Sequence, residues 1–511
     1  MHPIAEHPEL PRHSTGAGLR SQGTGLVGSA AIVIGLILLV AVPLLPPPSP
    51  ITPLGMGRLA LLAFATVWWV AAPVPLPVTT VAALAWGVLT GVLSLQEAFA
   101  ANTGNIVWFI IGAFGLSAAL EANGFSRRLA LWFVNQPWVR RRPYALLFMF
   151  WASAVVASAV MANIVVVVVW LALATEIHTF LGLKRGDRFA ETNTMGLAWM
   201  ANIGGIITPI GTPTNALGMG LIANATGRTV GFLTWSAVGV VTGAAVTLAA
   251  FALVRWFTRP DVSVLSTERA RALLRSQQEA LEPRTPAQSR ALAWFAAAFV
   301  LWCLPDVVRA IAPEAAERGI VANMDLAVPA LLVPVAMCLT PSGRRDGSRL
   351  LTWESWAKGV DWGMVVFIAG VLALGAAVGA RATGIPTFLE QGIQPVVKDL
   401  PEYVFVFALV SAVLAVTAVI SNLVTVVAVV PPAIAMAMAV HVADPVALGV
   451  ILTMSASLDY ALPSGTTTNA VVAGTGWIRL GVMARNGAML SIVQAVILTL
   501  IVYPVAKWLL N

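Results

Sequence analysis

The chain has 511 residues, 58% of them hydrophobic and only 10% charged, with a mean hydropathy of +0.85. A soluble domain carries about 25% charged residues, so the composition excludes one and indicates a polytopic membrane protein. The net charge of +7 then reads as Arg and Lys held on cytoplasmic loops; no basic groove suggests a nucleic-acid partner.

Residues 1–25 form a polar tail containing His2, His7 and His13, and their composition predicts disorder. The apolar run Leu26–Leu45 ends in Pro46-Pro47-Pro48 without a small-X-small cleavage pattern, so it reads as a retained first span, not a signal peptide. Further spans are predicted near 59–74, 78–93 and 106–120. An apolar stretch follows from 145 to 182, broken at its middle. Spans near 192–224 and 230–256 come next. The polar stretch Arg255–Arg290, with seven Arg against Asp261, Glu268, Glu279 and Glu282, predicts a cytoplasmic linker. Beyond it lie spans near 292–311, 324–340, 362–380, 403–440, 445–475 and 484–508. Cys303 and Cys338 have no Cys or His neighbour at ligand spacing and read as packing residues. Trp68, Trp69, Trp132, Trp138, Trp256, Trp294, Trp302, Trp353, Trp356 and Trp508 fall near predicted span ends and read as interfacial anchors.

The chain is internally duplicated. Ser158 and Asn163 precede Gly211-Thr212-Pro213-Thr214-Asn215-Ala216, and Thr417 and Asn422 precede Gly465-Thr466-Thr467-Thr468-Asn469-Ala470. The two asparagine pairs are offset by 259 and 254, and Trp108–Gly112 matches Val366–Gly370 at 258. Ser126–Tyr144 carries Arg127, Arg128, Arg140, Arg141 and Arg142 with no acid, whereas Arg381–Tyr403 carries Arg381 and Lys398 against Glu390, Asp399 and Glu402. The positive-inside bias places the first inside and the second outside, so the repeats are predicted to be inverted, a feature of secondary transporters. With a cytoplasmic N-terminus, eleven spans and re-entrant hairpins over 145–182 and 403–440, Lys184, Arg185, Arg344, Arg345, Arg479 and Arg485 fall inside and Asn511 outside.

Unwound backbone at membrane depth is tolerated where protein or a watery cavity satisfies it. Hairpin tips at Asn163 and Asn422 beside interrupted helices bring together hydroxyls, amide oxygens and carbonyls suited to a hard cation, with helix N-termini suited to an anion. The alternative for one motif alone is helix glue and close glycine packing; four motifs at matched offsets favour the ion-binding reading.

On these residues the chain resembles the divalent-anion/sodium symporter family of sodium-coupled di- and tricarboxylate carriers. Ala201–Gly205 with Gly211–Asn215, and Ser455–Ser457 with Leu462-Pro463 and Gly465–Asn469, resemble the family's two broken-helix loops; the tips correspond to its Ser-Asn-Thr motifs. The resemblance implies an all-α fold, an elevator mechanism and a homodimer. It implies scaffold helices over 26–122 and 291–380, transport-domain segments over 123–257 and 381–511, each with an interfacial helix, and a linker over 258–290. One sodium site uses Ser158, Asn163 and Gly211, the other Thr417, Asn422 and Gly465. The substrate lies near Asn163, Pro213, Thr214, Ser421, Asn422 and Thr467. No cofactor is implied beyond the coupling sodium.

Several residues depart from the family pattern. The tips read Ala162-Asn163-Ile164 and Ser421-Asn422-Leu423, so three hydroxyls are missing, and Thr214, Thr467 and Thr468 stand where the family has Pro. Losing a hydroxyl that pairs a charge costs about 1–3 kcal/mol, which points to a smaller, less charged or more apolar substrate than succinate. Asp459 lies ten residues before Asn469, where the first repeat has Gly205. A carboxylate at membrane depth is by default a functional candidate, as cation ligand or proton carrier; the alternative is a structural pairing, such as with Tyr460. Glu121 reads as interfacial.

The function expected is a sodium-coupled carrier of a small organic anion in the inner or plasma membrane. The alternative is a proton-coupled or exchanging carrier of another anion such as sulfate or a sulfonate. An embedded enzyme needs a catalytic constellation at membrane depth, and neither His178 nor His441 has a partner at motif spacing. A channel fits two occluding hairpins less well.

Overall fold

The computed structural model describes residues 26–134, 136, 142–279, 283–344, 347–388, 391–392 and 400–510. The tail 1–25, Trp138, Arg140, Arg141, Arg345, Glu390, Lys398, Asp399 and Asn511 lie outside these residues. Among the described residues the regular structure is helical, apart from one isolated bridge between Pro341 and Arg349.

The first repeat opens with α1 (Leu26–Ala41), α2 (Pro53–Ala71), α3 (Leu76–Leu89), α4 (Leu95–Phe99), α5 (Asn105–Ala122) and α6 (Phe125–Val134). A hairpin of α7 (Pro143–Ser158) and α8 (Asn163–Phe180) follows, then the pair α9 (Arg188–Gly205) and α10 (Pro213–Thr226), then α11 (Phe232–Leu253). After α12 (Glu268–Glu279) the order recurs, starting with α13 (Pro286–Ile311), the short α14 (Pro313–Ala316) and α15 (Gly319–Ala322), α16 (Ala327–Leu339), α17 (Trp353–Gly359) and α18 (Trp362–Gly379). It continues with the hairpin α19 (Glu402–Thr417) and α20 (Asn422–Val440), the pair α21 (Pro445–Ser457) and α22 (Thr467–Gly474), then α23 (Leu480–Ile497) and α24 (Tyr503–Leu510).

Among the described residues nine helices are long and apolar enough to cross a membrane. Two of these, Asn163–Phe180 and Asn422–Val440, are hairpin arms. Shorter apolar helices among the described residues are α3, α7, α16, α19 and α21.

Boundaries moved where capping outweighs hydropathy. Helix α2 starts at Pro53, not 59, because the Thr52 side chain accepts from the Gly55 amide and Pro53 occupies the first turn. Helix α13 starts at Pro286, not 292, because Thr285 and Gln288 form a capping box, so the linker is shorter than expected. Within α2, Arg58 is buried and satisfied by the Ala377 carbonyl at 2.7 Å and Glu97 Oε1 at 2.6 Å.

The tryptophan reading needs correction. Trp132, Trp256, Trp353 and Trp508 are exposed, as anchors require, but Trp69, Trp302 and Trp356 are buried. Their indole N–H groups donate to Thr80 Oγ1, the Leu326 carbonyl and the Ile111 carbonyl, so these three are packing residues that close helix contacts.

The broken pairs sit at the centre. Every residue from Phe189 to Gly205 and from Val446 to Ser457 is buried. Ion pairs fasten a broken pair and a hairpin arm to other elements. Buried Glu191 on α9 accepts from Arg479 Nε at 2.6 Å and Nη2 at 2.8 Å, and Glu402 on α19 accepts from Tyr503 and Lys507, each at 2.6 Å. Glu191 is 3% exposed while Arg479 is 68% exposed. Arg479→Ala strands the buried carboxylate and is expected to lower the melting temperature. Glu191→Gln removes the charge along with the pair and is expected to cost less; melting curves of both variants in detergent check the order.

Candidate functional site

Each hairpin turns abruptly: α7 stops at Ser158 and α8 starts at Asn163, and α19 stops at Thr417 and α20 starts at Asn422. Both asparagines occupy the first helical position, where amide N–H groups have no intrahelical partner.

At the first tip Ser158 Oγ lies 2.7 Å from Asn163 Oδ1 and 2.8 Å from the Ala201 carbonyl. One hydroxyl proton serves one of these acceptors and leaves the other. The chain break between α9 and α10 is held by Asn215, whose Nδ2 donates to the Gly205 and Thr208 carbonyls, both at 2.8 Å. Thr208 Oγ1 donates to the Ala159 carbonyl, fixing the break to the hairpin turn. Gly205 faces the Asn163 amide, and Gly211 faces the carbonyl oxygens of Gly205 and Ser158; a Cβ at either would overlap them.

The second tip repeats this arrangement. Thr417 Oγ1 lies 2.9 Å from the Asn422 side-chain amide and donates to the Ala456 carbonyl at 2.5 Å. Asn422 Nδ2 faces the break, donating to the Ala456 carbonyl at 3.0 Å, Thr417 Oγ1 at 2.9 Å and the Gly465 carbonyl at 3.2 Å. Hydroxyl, amide and carbonyl groups thus converge at this tip as they do at the first. Buried Asn215 Oδ1 and Asn469 Oδ1, equivalent in the repeats, have no partner among the described residues.

The structure thus brings Ser158, Asn163 and Gly211 together, and separately Thr417, Asn422 and Gly465. Pro213 and Thr467 start α10 and α22 at the two breaks. Asn163, Pro213, Ser421 and Asn422 are partly exposed and Thr467 exposed, while Thr214 is buried and makes its polar contact with Thr212 Oγ1 at 3.4 Å. Thr214 is therefore set back from the accessible face.

Asn202, within the Ala201–Gly205 motif, joins the two repeats. From α9 it donates to the Asp459 carbonyl at 2.8 Å and accepts from Thr468 Oγ1 at 2.7 Å, while Trp199 Nε1 donates to the Tyr460 carbonyl at 3.3 Å. These bonds tie the two broken pairs together. Asp459 does not pair with Tyr460 Oη, which has no partner among the described residues. Its Oδ2 accepts from Asn469 Nδ2 at 2.9 Å and its Oδ1 from the Ala461 amide at 3.1 Å.

A cavity of about 770 Å³ lies elsewhere, lined by the C-terminal part of α10, the start of α11, parts of α13 and α18 and residues 322–326 ahead of α16, with Arg58, Asp306, Arg309 and Asp325 among its walls. Asp306 Oδ2 accepts from the Leu233 amide at 3.0 Å, joining α13 to the start of α11. At the first tip a pocket of about 30 Å³, one water in scale, lies between Ala162, Gly211–Pro213 and Ser117 of α5.

A family model described as the sodium:sulfate symporter transmembrane region matches residues 28–510. The sodium-dependent dicarboxylate transporter SdcS of Staphylococcus saprophyticus is 26% identical over 486 residues, covering 92% of this chain and 90% of that protein. SdcS of Staphylococcus aureus is 23% identical over 480 residues, with the same coverages. Among solved structures, the YdaH transporter of Alcanivorax borkumensis shares the fold with a TM-score of 0.54 at 14% identity, covering 83% of this chain and 89% of that one. With its repeated hairpins and broken helices inside a match that runs almost end to end, the chain belongs to the sodium:sulfate symporter family of membrane transporters, the divalent-anion/sodium symporters.

Proposed function

We propose that this chain is a secondary active transporter that moves a small organic anion, a mono- or dicarboxylate, across the plasma membrane, coupled to sodium. The observation that carries this reading is the duplicated meeting of hydroxyl, amide and carbonyl groups at Ser158/Asn163/Ala201 and at Thr417/Asn422/Ala456/Gly465, one set at each hairpin tip. Relatives named sodium-dependent dicarboxylate transporters support the ion and the anion class. The N-termini of α8, α10, α20 and α22 lie at the same tips and breaks and offer amide N–H groups to the anion.

The transport domain comprises both hairpins and both broken pairs, tied by Asn202, and moves past a scaffold of the remaining helices in an elevator cycle, as a homodimer. Arg127, Arg128, Lys184, Arg185, Arg344, Arg479 and Arg485 face the cytoplasm in this arrangement, so the repeats are inverted. The test is uptake of labelled carboxylates into proteoliposomes under an inward sodium gradient. Uptake that saturates and collapses when sodium is replaced by potassium is expected. Uptake that follows a proton gradient without sodium contradicts the coupling, and gradient-independent conductance contradicts the carrier.

A further inference from the structure

We infer that Asp459 is the fixed counter-charge of the second cation site, and that the anion this chain carries bears a single negative charge. The inference deepens the proposed function and rests on it.

Asp459 is 2% exposed and directly follows α21 and Leu458, at the break of a buried helix pair. Among the described residues no basic side chain forms an ion pair with it. Its two neutral donors, the Asn469 amide and the Ala461 N–H, leave acceptor capacity on both oxygens. Oδ2 stands against the α-carbon of Gly465, where a side chain would displace it. The Gly465 carbonyl in turn accepts from the Asn422 amide at 3.2 Å. One glycine therefore separates the carboxylate from the second tip, where Thr417, Asn422 and Ala456 meet. Buried Asn469, which holds Asp459 Oδ2, keeps its own Oδ1 without a partner among the described residues. A cation beside Gly465 is the partner that this oxygen and the Asp459 carboxylate lack.

The first repeat places no charge there: Gly205 occupies the equivalent position and the Asn163 amide fills the space beside it. The two sites are alike in oxygens and unlike in charge. Two bound sodium ions against one fixed carboxylate leave a single positive charge in the loaded domain. A monoanion neutralises it, whereas a dianion leaves net negative charge in a low-dielectric environment that penalises it. The tips point the same way independently. Ala162, Ile164 and Leu423 supply no hydroxyl, and Ile164 at the first tip is 37% exposed, an apolar surface suited to the uncharged end of a monocarboxylate or sulfonate.

The test is sodium-driven uptake by the full chain in proteoliposomes with labelled succinate, lactate and isethionate, for wild type, Asp459→Asn and the charge-retaining Asp459→Glu. Wild type is expected to take up lactate or isethionate at least tenfold faster than succinate. Asp459→Asn is expected to lower that ratio at least tenfold and to need more sodium for half-maximal uptake, and Asp459→Glu to keep the preference. Succinate matching or exceeding both monoanions in wild type overturns the inference without reference to any variant, and leaves the carrier reading standing. An unchanged ratio in a folded Asp459→Asn overturns the role of Asp459. Absence of sodium-driven uptake for all three anions, while other carboxylates also fail, overturns the carrier reading and the inference with it.

Discussion

Asn422→Ala is expected to weaken the sodium dependence of uptake by roughly 30-fold, and Asn163→Ala by a similar factor. The Asn163 amide oxygen faces the Ser158 hydroxyl, and the Asn422 amide joins the Thr417 hydroxyl to the Ala456 and Gly465 carbonyls. A hydrogen-bond or ligand interaction with a charged group is worth about 1.5–3 kcal/mol, and about 1.4 kcal/mol is tenfold in affinity. The fold should survive, because each side chain sits at a helix start and is partly exposed, and no helix loses a cap. Sodium titrations of uptake at fixed anion measure the shift. A half-maximal sodium concentration unchanged in either variant removes that tip from the cation site. Asn202→Ala provides a contrast, since it cuts the tie between the broken pairs at Asp459 and Thr468 and should lower thermal stability more than sodium affinity.

Gly465→Ala is expected to abolish transport, with a larger effect than Gly205→Ala. At both positions a Cβ occupies space already filled, but by different kinds of atoms. At Gly205 it meets the side-chain amide of Asn163, which can rotate away. At Gly465 it meets the Asp459 carboxylate and, 2.7 Å away, the backbone carbonyl of Thr417 at the end of a helix. A carbonyl in a hydrogen-bonded turn moves only with its backbone, so the break and the hairpin must separate. Overpacking of a tight interior costs about 1–3 kcal/mol, and here it displaces the oxygens that hold the ion. Uptake together with melting curves separates the two effects: a folded chain without uptake is the expected result, and near-normal uptake in Gly465→Ala refutes the tight contact.

Much of this arrangement was legible because the chemistry is written twice. Ser158 with Asn163 and Thr417 with Asn422 are five residues apart, a spacing that closes a turn between two helices, and both pairs hydrogen-bond as that spacing implies. Gly211 and Gly465 were recognisable as breaks because glycine and threonine interrupt apolar runs. The Asn202 bridge was not legible, because its partners lie 257 and 266 residues away and only the packing of the two broken pairs brings them together. The ion pair of Glu191 with Arg479, 288 residues apart, was hidden for the same reason; an acid immediately before a predicted span was the available signal. Trp69, Trp302 and Trp356 are buried despite lying near span ends, because proximity to a span end does not determine which face of a helix a ring occupies.

Asp459 shows the limit of motif reading most clearly. The sequence placed a carboxylate ten residues before Asn469 but gave no means of choosing between a structural pairing and a role at the ion site. Its two neutral donors and the glycine between it and the second tip turn that choice into a charge difference between two otherwise matching sites.

Binding of radioactive sodium to the purified chain distinguishes two separate cation sites at the duplicated tips from one. Two ions per chain are expected in wild type, and one in each of Asn163→Ala and Asn422→Ala at the sodium concentration that saturates wild type. A single ion in wild type, or two in both variants, contradicts the account.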